Sequence, residues 1–115
     1  MNGYMIYRKA LARLGNENAD EISLDNVQFT HVLELINQIA ADLKVNTINE
    51  LSSEVEYSND VIEAICCGTA MMLALNQGDV AKNQIFTNIY NAKRAAVLSS
   101  TSHIEDTLPI AESGV

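Results

Sequence analysis

Proline is close to absent. Pro109 is the sole one among 115 residues, so the chain ahead of it lacks the strongest helix breaker. Basic residues are scarce too: seven Lys and Arg stand against fifteen Asp and Glu, for a formal net charge of −8. A protein that binds DNA or RNA irrespective of sequence needs cations to displace counterions from phosphates, so that class is excluded. The same imbalance disfavours anionic membrane surfaces. No apolar run approaches the ~20 residues of a membrane span. The N-terminal MNGYMIYRKALARL lacks the unbroken apolar stretch of a secretion signal, and the expectation is a soluble protein kept inside a cell. Cysteine occurs twice, as the neighbours Cys66 and Cys67. Adjacent helical residues point about 100° apart, so the two thiols do not readily bond to each other. They are expected to be small buried hydrophobes rather than a redox or metal pair.

Signatures of chemistry are missing as well. His31 and His103 lie far apart, and neither has a thiol or carboxylate at zinc-like spacing in its own element. There is no glycine-rich phosphate loop. Thiols embedded in an apolar helix are poor nucleophiles. Glu50, Glu54 and Glu56 lack the alternating Asp/Asn and Gly of a calcium loop and suit a solvated face better. The expectation is a chain that is not an enzyme and carries no cofactor or metal.

What is present is helical periodicity. Tyr4, Tyr7, Leu11 and Leu14 share one face of a first helix over residues 2–14, with Gly15 as its C-terminal cap. Phe29, Val32, Leu33, Ile36, Ile39, Ala40 and Leu43 recur at three and four in a second, opened by Ser23 or Asp25 and running to Lys44. His31, Glu34, Asn37, Gln38 and Asp42 fall on its polar side. Residues 45–58 have no clean period and form an ordered connector. Ser58 or Asn59 then caps a third helix to Asn76. It is apolar nearly all round, so more than one neighbour must cover it, and its mid-helix Gly68 implies close approach of another helix. Gln77-Gly78-Asp79 is a hairpin turn into a fourth helix over residues 80–99. There Ile85, Phe86, Ile89, Tyr90 and Val97 form the apolar side, and Tyr90 is expected in the core. The fold class is therefore all-α, a small bundle of about four helices over residues 1–99. An extended arm follows over residues 100–115, whose Ile104, Leu108 and Ile110 are out of place in a free tail.

From Leu24 onward the order of features resembles the small head–tail connector (adaptor or head-completion) proteins of tailed bacteriophages. The matching pieces are INQIAADL at Ile36–Leu43, TINELSSEVEYS at Thr47–Ser58, VIEAICCGTAMMLALNQGD at Val61–Asp79 and NQIFTNIYNAKRAA at Asn83–Ala96. DTLP at Asp106–Pro109 fits the trailing arm. The resemblance implies a homo-oligomeric ring, commonly a dodecamer, under the portal protein of a phage or prophage head. The ring would extend the DNA channel, with DNA only as cargo, and dock tail-side connector proteins. It also implies residence in the virion neck after assembly and in the host cytoplasm before it. In such a ring Ile104, Leu108 and Ile110 would be arm contacts, and Asn91, Lys93 and Arg94 a subunit or portal contact. For Lys93 and Arg94 the plainer reading is that cations late in a helix complement its dipole. The alternative to a connector is a small helical protein-binding or regulatory module without catalytic activity.

Overall fold

The computed structural model describes residues 1–16 and 26–113, with residues 26 and 101–113 as backbone only. Asn2, in extended backbone, accepts the Met5 N–H at 3.0 Å and so starts α1, Gly3–Arg13. The other helices are α2 (Asn26–Asp42), α3 (Asn59–Asn76) and α4 (Val80–Ser113). Ser58 caps α3 by accepting the Val61 N–H at 3.4 Å, and Asp60 lies in the first turn, where the helix dipole favours an anion. Ser23 and Asp25, the residues expected to open α2, lie outside the described residues. Among the described residues the only pairing of extended backbone is an isolated bridge between Asn2 and Glu54. The described residues form an all-α bundle of four helices.

Three of the helices end in the same way. After α1, Asn16 N–H reaches Leu11 C=O and Gly15 N–H reaches Ala12 C=O. Val45 to Ala40 with Lys44 to Ala41 repeats the pattern after α2, and Asp79 to Ala74 with Gly78 to Leu75 repeats it after α3. Each pair satisfies two carbonyls that the helix leaves unbonded, and each needs one residue in the left-handed region. Gly15 (φ 89°) and Gly78 (φ 74°) take that conformation freely. Lys44 takes it at φ 60° with a Cβ that crowds the following carbonyl.

α3 is the axis of the bundle, and every other helix packs on it. Ile65, Cys66, Thr69, Ala70 and Ala74 are wholly buried, as expected of a helix apolar on all sides. Gly68 is where its neighbours come closest. A Cβ there would sit 2.8 Å from Ile39 Cγ2 of α2 and 2.9 Å from Tyr90 Cε1 of α4. The connector closes the other end of the core. Ile48, Leu51 and Val55 are buried, and Gly3 lets Leu51 come so near that a Cβ would meet its Cα at 3.0 Å. Asn37, assigned to the polar side of α2 by its spacing, is a clamp. Its amide donates to Ile48 C=O at 2.7 Å and its carbonyl accepts Ile48 N–H at 2.8 Å, holding the connector as a β partner would.

Two expectations about α4 are corrected. Ile85 and Ile89 are not on its buried side: they are 54% and 37% exposed, while Tyr90 (3%) and Val97 (8%) face α3. Residues 85 and 89 form a column one residue, about 100°, away from the column at 86 and 90. Periodicity cannot choose between two adjacent apolar columns. The large Tyr90 ring, docked against Gly68, decides it. The second correction concerns residue 100, where no change of backbone occurs. α4 continues through Pro109 to Ser113, so the arm is helical over that range instead of extended. Helical backbone bonds are local and need no apolar period to form, which is why a missing period misleads here. Pro109 removes one such bond, since it has no N–H.

Two stability measurements test these assignments. Gly68→Ala would gain ~1 kcal/mol in an open helix. Here it must displace Ile39 or Tyr90, an overpacking cost of about 1–3 kcal/mol, so urea denaturation should show a net loss. Lys44→Gly relieves the left-handed strain and should raise stability by roughly 0.5–1 kcal/mol, seen as a Tm higher by a few degrees.

Candidate protein-docking surface

The residues singled out on α4 fall into different environments. Asn91 is exposed. Arg94 turns back onto its own chain, its Nε donating to Asp42 Oδ2 at 2.8 Å. Tyr90 OH donates to the same oxygen at 2.5 Å, so Asp42 ties the end of α2 to α4. These two hydrogen bonds, the Tyr90 one foremost, hold the Asp42 carboxyl below its ordinary value of 3.8. Burial and the adjacent carboxylate push the Tyr90 hydroxyl up. Lys93 lies one residue away in a shallow groove of about 300 Å³, with Ser58, Asp60, Val61, Glu63, Ala96, Val97 and Ser100 around it. The structure therefore separates Arg94, which has a structural partner, from Asn91 and Lys93. Ile104, Leu108 and Ile110 lie on the helical continuation of α4, and their side chains are outside the described residues.

A second hollow of about 480 Å³ adjoins that groove and shares Ser58 and Val61 with it. The connector forms its walls through Lys44, Asn46, Thr47, Glu54, Glu56 and Tyr57, over a floor of Ile48, Val55 and Val61. Those floor residues and Val97 keep 8–9% exposure, whereas Leu51, Ile65 and Ile36 keep none. The floor residues and Val97 lie at the margin of the core. Tyr57 closes the hollow by donating its hydroxyl to Asn46 C=O.

The outer face of α4 is the other notable surface. Ile85, Ile89, Ala92 and Ala96 are all exposed, spaced four, three and four apart in one column. That spacing is the seam along which one helix packs on another. Sequence reasoning missed this column because it assigned Ile85 and Ile89 to the core. Periodicity alone offered no signal to separate this column from the one at 86 and 90.

Both thiols are sealed in the core. Cys66 is fully buried and its thiol is pushed up to about 11 by that burial, so it is protonated and unreactive near neutral pH. Cys67 is buried as well and accepts a hydrogen bond from Arg13 Nη1 at 3.2 Å. Arg13 also pairs with Glu63, which Lys9 reaches at 3.3 Å. The Arg13 hydrogen bond, then that of Lys9, keeps the Glu63 carboxyl low despite partial burial. This cluster joins α1 to α3. His31 makes a 3.1 Å hydrogen bond with Asn76 at the far end of the bundle. Among the described residues no three His, Cys, Asp or Glu side chains are grouped to hold a metal ion. No helix among them is long and apolar enough to cross a membrane.

Fold and surface together define a small all-α bundle with an exposed apolar column on α4. Comparison with protein-family models, characterised proteins and solved structures finds no match to this chain.

The Asp42 tie makes a prediction with a defined sign. Tyr90→Phe removes one hydrogen bond and should cost about 1 kcal/mol at neutral pH. Asp42 has a lowered folded pKa, so its contribution is present above 3.8 and is lost as pH falls through the lower folded value. The gap between wild type and Tyr90→Phe should therefore narrow in acid. In an NMR titration the Asp42 carboxyl of the variant should move back up towards 3.8.

Proposed function

We propose that this chain is a structural subunit of a phage or prophage head–tail connector. It would form a ring under the portal, extend the DNA channel and offer a docking surface to tail-side connector proteins. The observation that carries the reading is the exposed column Ile85, Ile89, Ala92 and Ala96 on a helix whose inner face is already occupied. An apolar helix face left open beside a complete core is a surface for another protein. The sequence resemblance from Leu24 onward supplies the class of that protein. The acidic balance supports it as well: a channel wall with few cations lets DNA slide, because each exposed lysine would hold a phosphate. On this reading the protein is made in the host cytoplasm and ends in the virion neck, most simply in a dodecamer matching the portal. It does so without cofactor, metal or catalysis.

The helical continuation of α4 gives the arm a specific form. Residues 101–113 would reach the portal or a neighbouring subunit as a helix laid in a groove, with Ile104 and Leu108, one turn apart, on the seated face and Ile110 about 200° round from Leu108. The test is capture by the portal ring encoded beside this protein's gene. Full-length protein should co-sediment with the portal. Deleting residues 100–115 should weaken that binding at least ~10-fold, the loss of about 1.4 kcal/mol or more. Unchanged binding would remove the arm from the interface, and absence of any portal binding would overturn the connector reading.

A further inference from the structure

Residues 45–58 cross from α2 to α3 without helical backbone, and hydrogen bonds at a few points attach them to the bundle. Asn37 holds Ile48 through its side-chain amide. The Tyr4 N–H, a donor left unbonded at the start of α1, reaches Leu51 C=O at 3.3 Å. Val55 N–H reaches Met1 C=O at 3.0 Å. The two limbs are joined where Tyr57 donates its hydroxyl to Asn46 C=O. A segment whose ends meet and whose own side chains fill it is an Ω-loop. Its plug is Leu51, which has no exposure and whose Cδ2 would lie 2.8 Å from a Cβ on Gly3. Ile48 and Val55 flank the plug at the margin of the core. Asn46, Thr47, Asn49, Glu50, Ser52 and Glu56 are exposed, so much of the loop is already in water. An open hollow of about 480 Å³ between its limbs and Val61 leaves that side without packing.

We propose that residues 45–57 form a gate: the loop swings off the bundle as one body and withdraws Leu51 from its seat at Gly3, while the helices stay folded. The helices do not need the loop in order to meet, because α1, α2 and α4 each pack directly on α3. A second group of core side chains, Leu11, Leu14, Leu35 and Leu73 among them, contains no loop residue. The loop also turns on defined points. Lys44, in the left-handed region, ends α2, and Ser58, in extended backbone, caps α3. Both belong to the helix ends and stay in place when the loop leaves. A region with few apolar contacts and a solvated backbone opens at lower free energy than the core beside it. Opening exposes Ile48, Leu51 and Val55 together and frees the Tyr4 N–H, so the two states differ in apolar surface and at one helix end. A binding event that prefers either state sets the position of the gate. The gate is independent of the head–tail connector reading and of any second copy of the chain.

The experiment is native-state hydrogen exchange, followed by NMR on the full chain under conditions where exchange reports the opening equilibrium. The Tyr4, Ile48 and Val55 amides report the loop, and those of Ile65 and Cys66 report α3. In the wild type the loop amides should share one protection factor, at least ~100-fold below that of α3. Two variants separate the gate from general unfolding. Leu73→Val lies in the group of side chains away from the loop, so it weakens the closed and open states alike. It should speed α3 exchange about 5-fold, for one buried methylene, and leave the loop amides unchanged. Asn37→Ala releases Ile48 alone, since the Tyr4 and Val55 amides make no hydrogen bond with Asn37. Those two amides should nevertheless exchange faster by one common factor of at least ~10. Loop amides as protected as α3, or sped up by Leu73→Val together with α3, overturn the proposal, because the loop then opens only when everything does. A response to Asn37→Ala that is confined to Ile48, or that differs between Val55 and Tyr4, overturns it too, since the pieces then fray separately. Portal capture bears on neither result, so the two readings fail separately.

Discussion

The approach of three helices at Gly68 is the constraint on which the rest of the bundle depends. With no Cβ on α3 at that point, Ile39 of α2 and the Tyr90 ring of α4 settle against its backbone from two sides. Interiors pack at crystalline density, so a contact this close fixes the rotation of both neighbours about their own axes. Rotation of α4 decides which residues it leaves outside. Once Tyr90 is turned in, Phe86 and Val97 follow it towards α3, and Ile85, Ile89, Ala92 and Ala96 are carried to the far side. The exposed column is a geometric consequence of the glycine contact.

The same contact organises the polar ties around it. Tyr90 has its ring at Gly68 and its hydroxyl on Asp42, so the residue that sets the rotation of α4 also joins α4 to the last turn of α2. Arg94 shares that carboxylate. The ion pair is partly exposed and by itself contributes at most ~1 kcal/mol. Its role is to bring a cation home to an internal partner, which removes Arg94 from the surface charge available for docking. Lys93, its neighbour in sequence, stays in the groove. Two adjacent cations that look equivalent in sequence are thus set in different surroundings by one residue's rotation of about 100° round the helix.

The connector acts as a lid that is pinned more than packed. Asn37 holds Ile48 through two hydrogen bonds, Val55 N–H reaches Met1 C=O at 3.0 Å, and Tyr4 N–H reaches Leu51 C=O at 3.3 Å. These place Leu51 fully inside while leaving Ile48 and Val55 at the margin of the core. The rim there carries Glu54, paired with the Met1 amine, and Glu56 beside Lys44.

Much of the architecture was legible in the residues alone. The helical segments, the cap at Ser58, the turn at Gly78 and the burial of Cys66 and Cys67 all follow from local rules. Those rules are set by the backbone's own hydrogen bonds and by the volume and polarity of each side chain. Even the need for close approach at Gly68 could be read, because a mid-helix glycine is costly without one. Tertiary structure decided whatever required choosing between equivalents: the 86/90 column over the 85/89 column, Arg94 over Lys93 as partner of Asp42, and Asn37 as clamp instead of solvated amide. Each of these choices turns on a neighbour remote in sequence, and periodicity along one helix contains no information about what lies across from it.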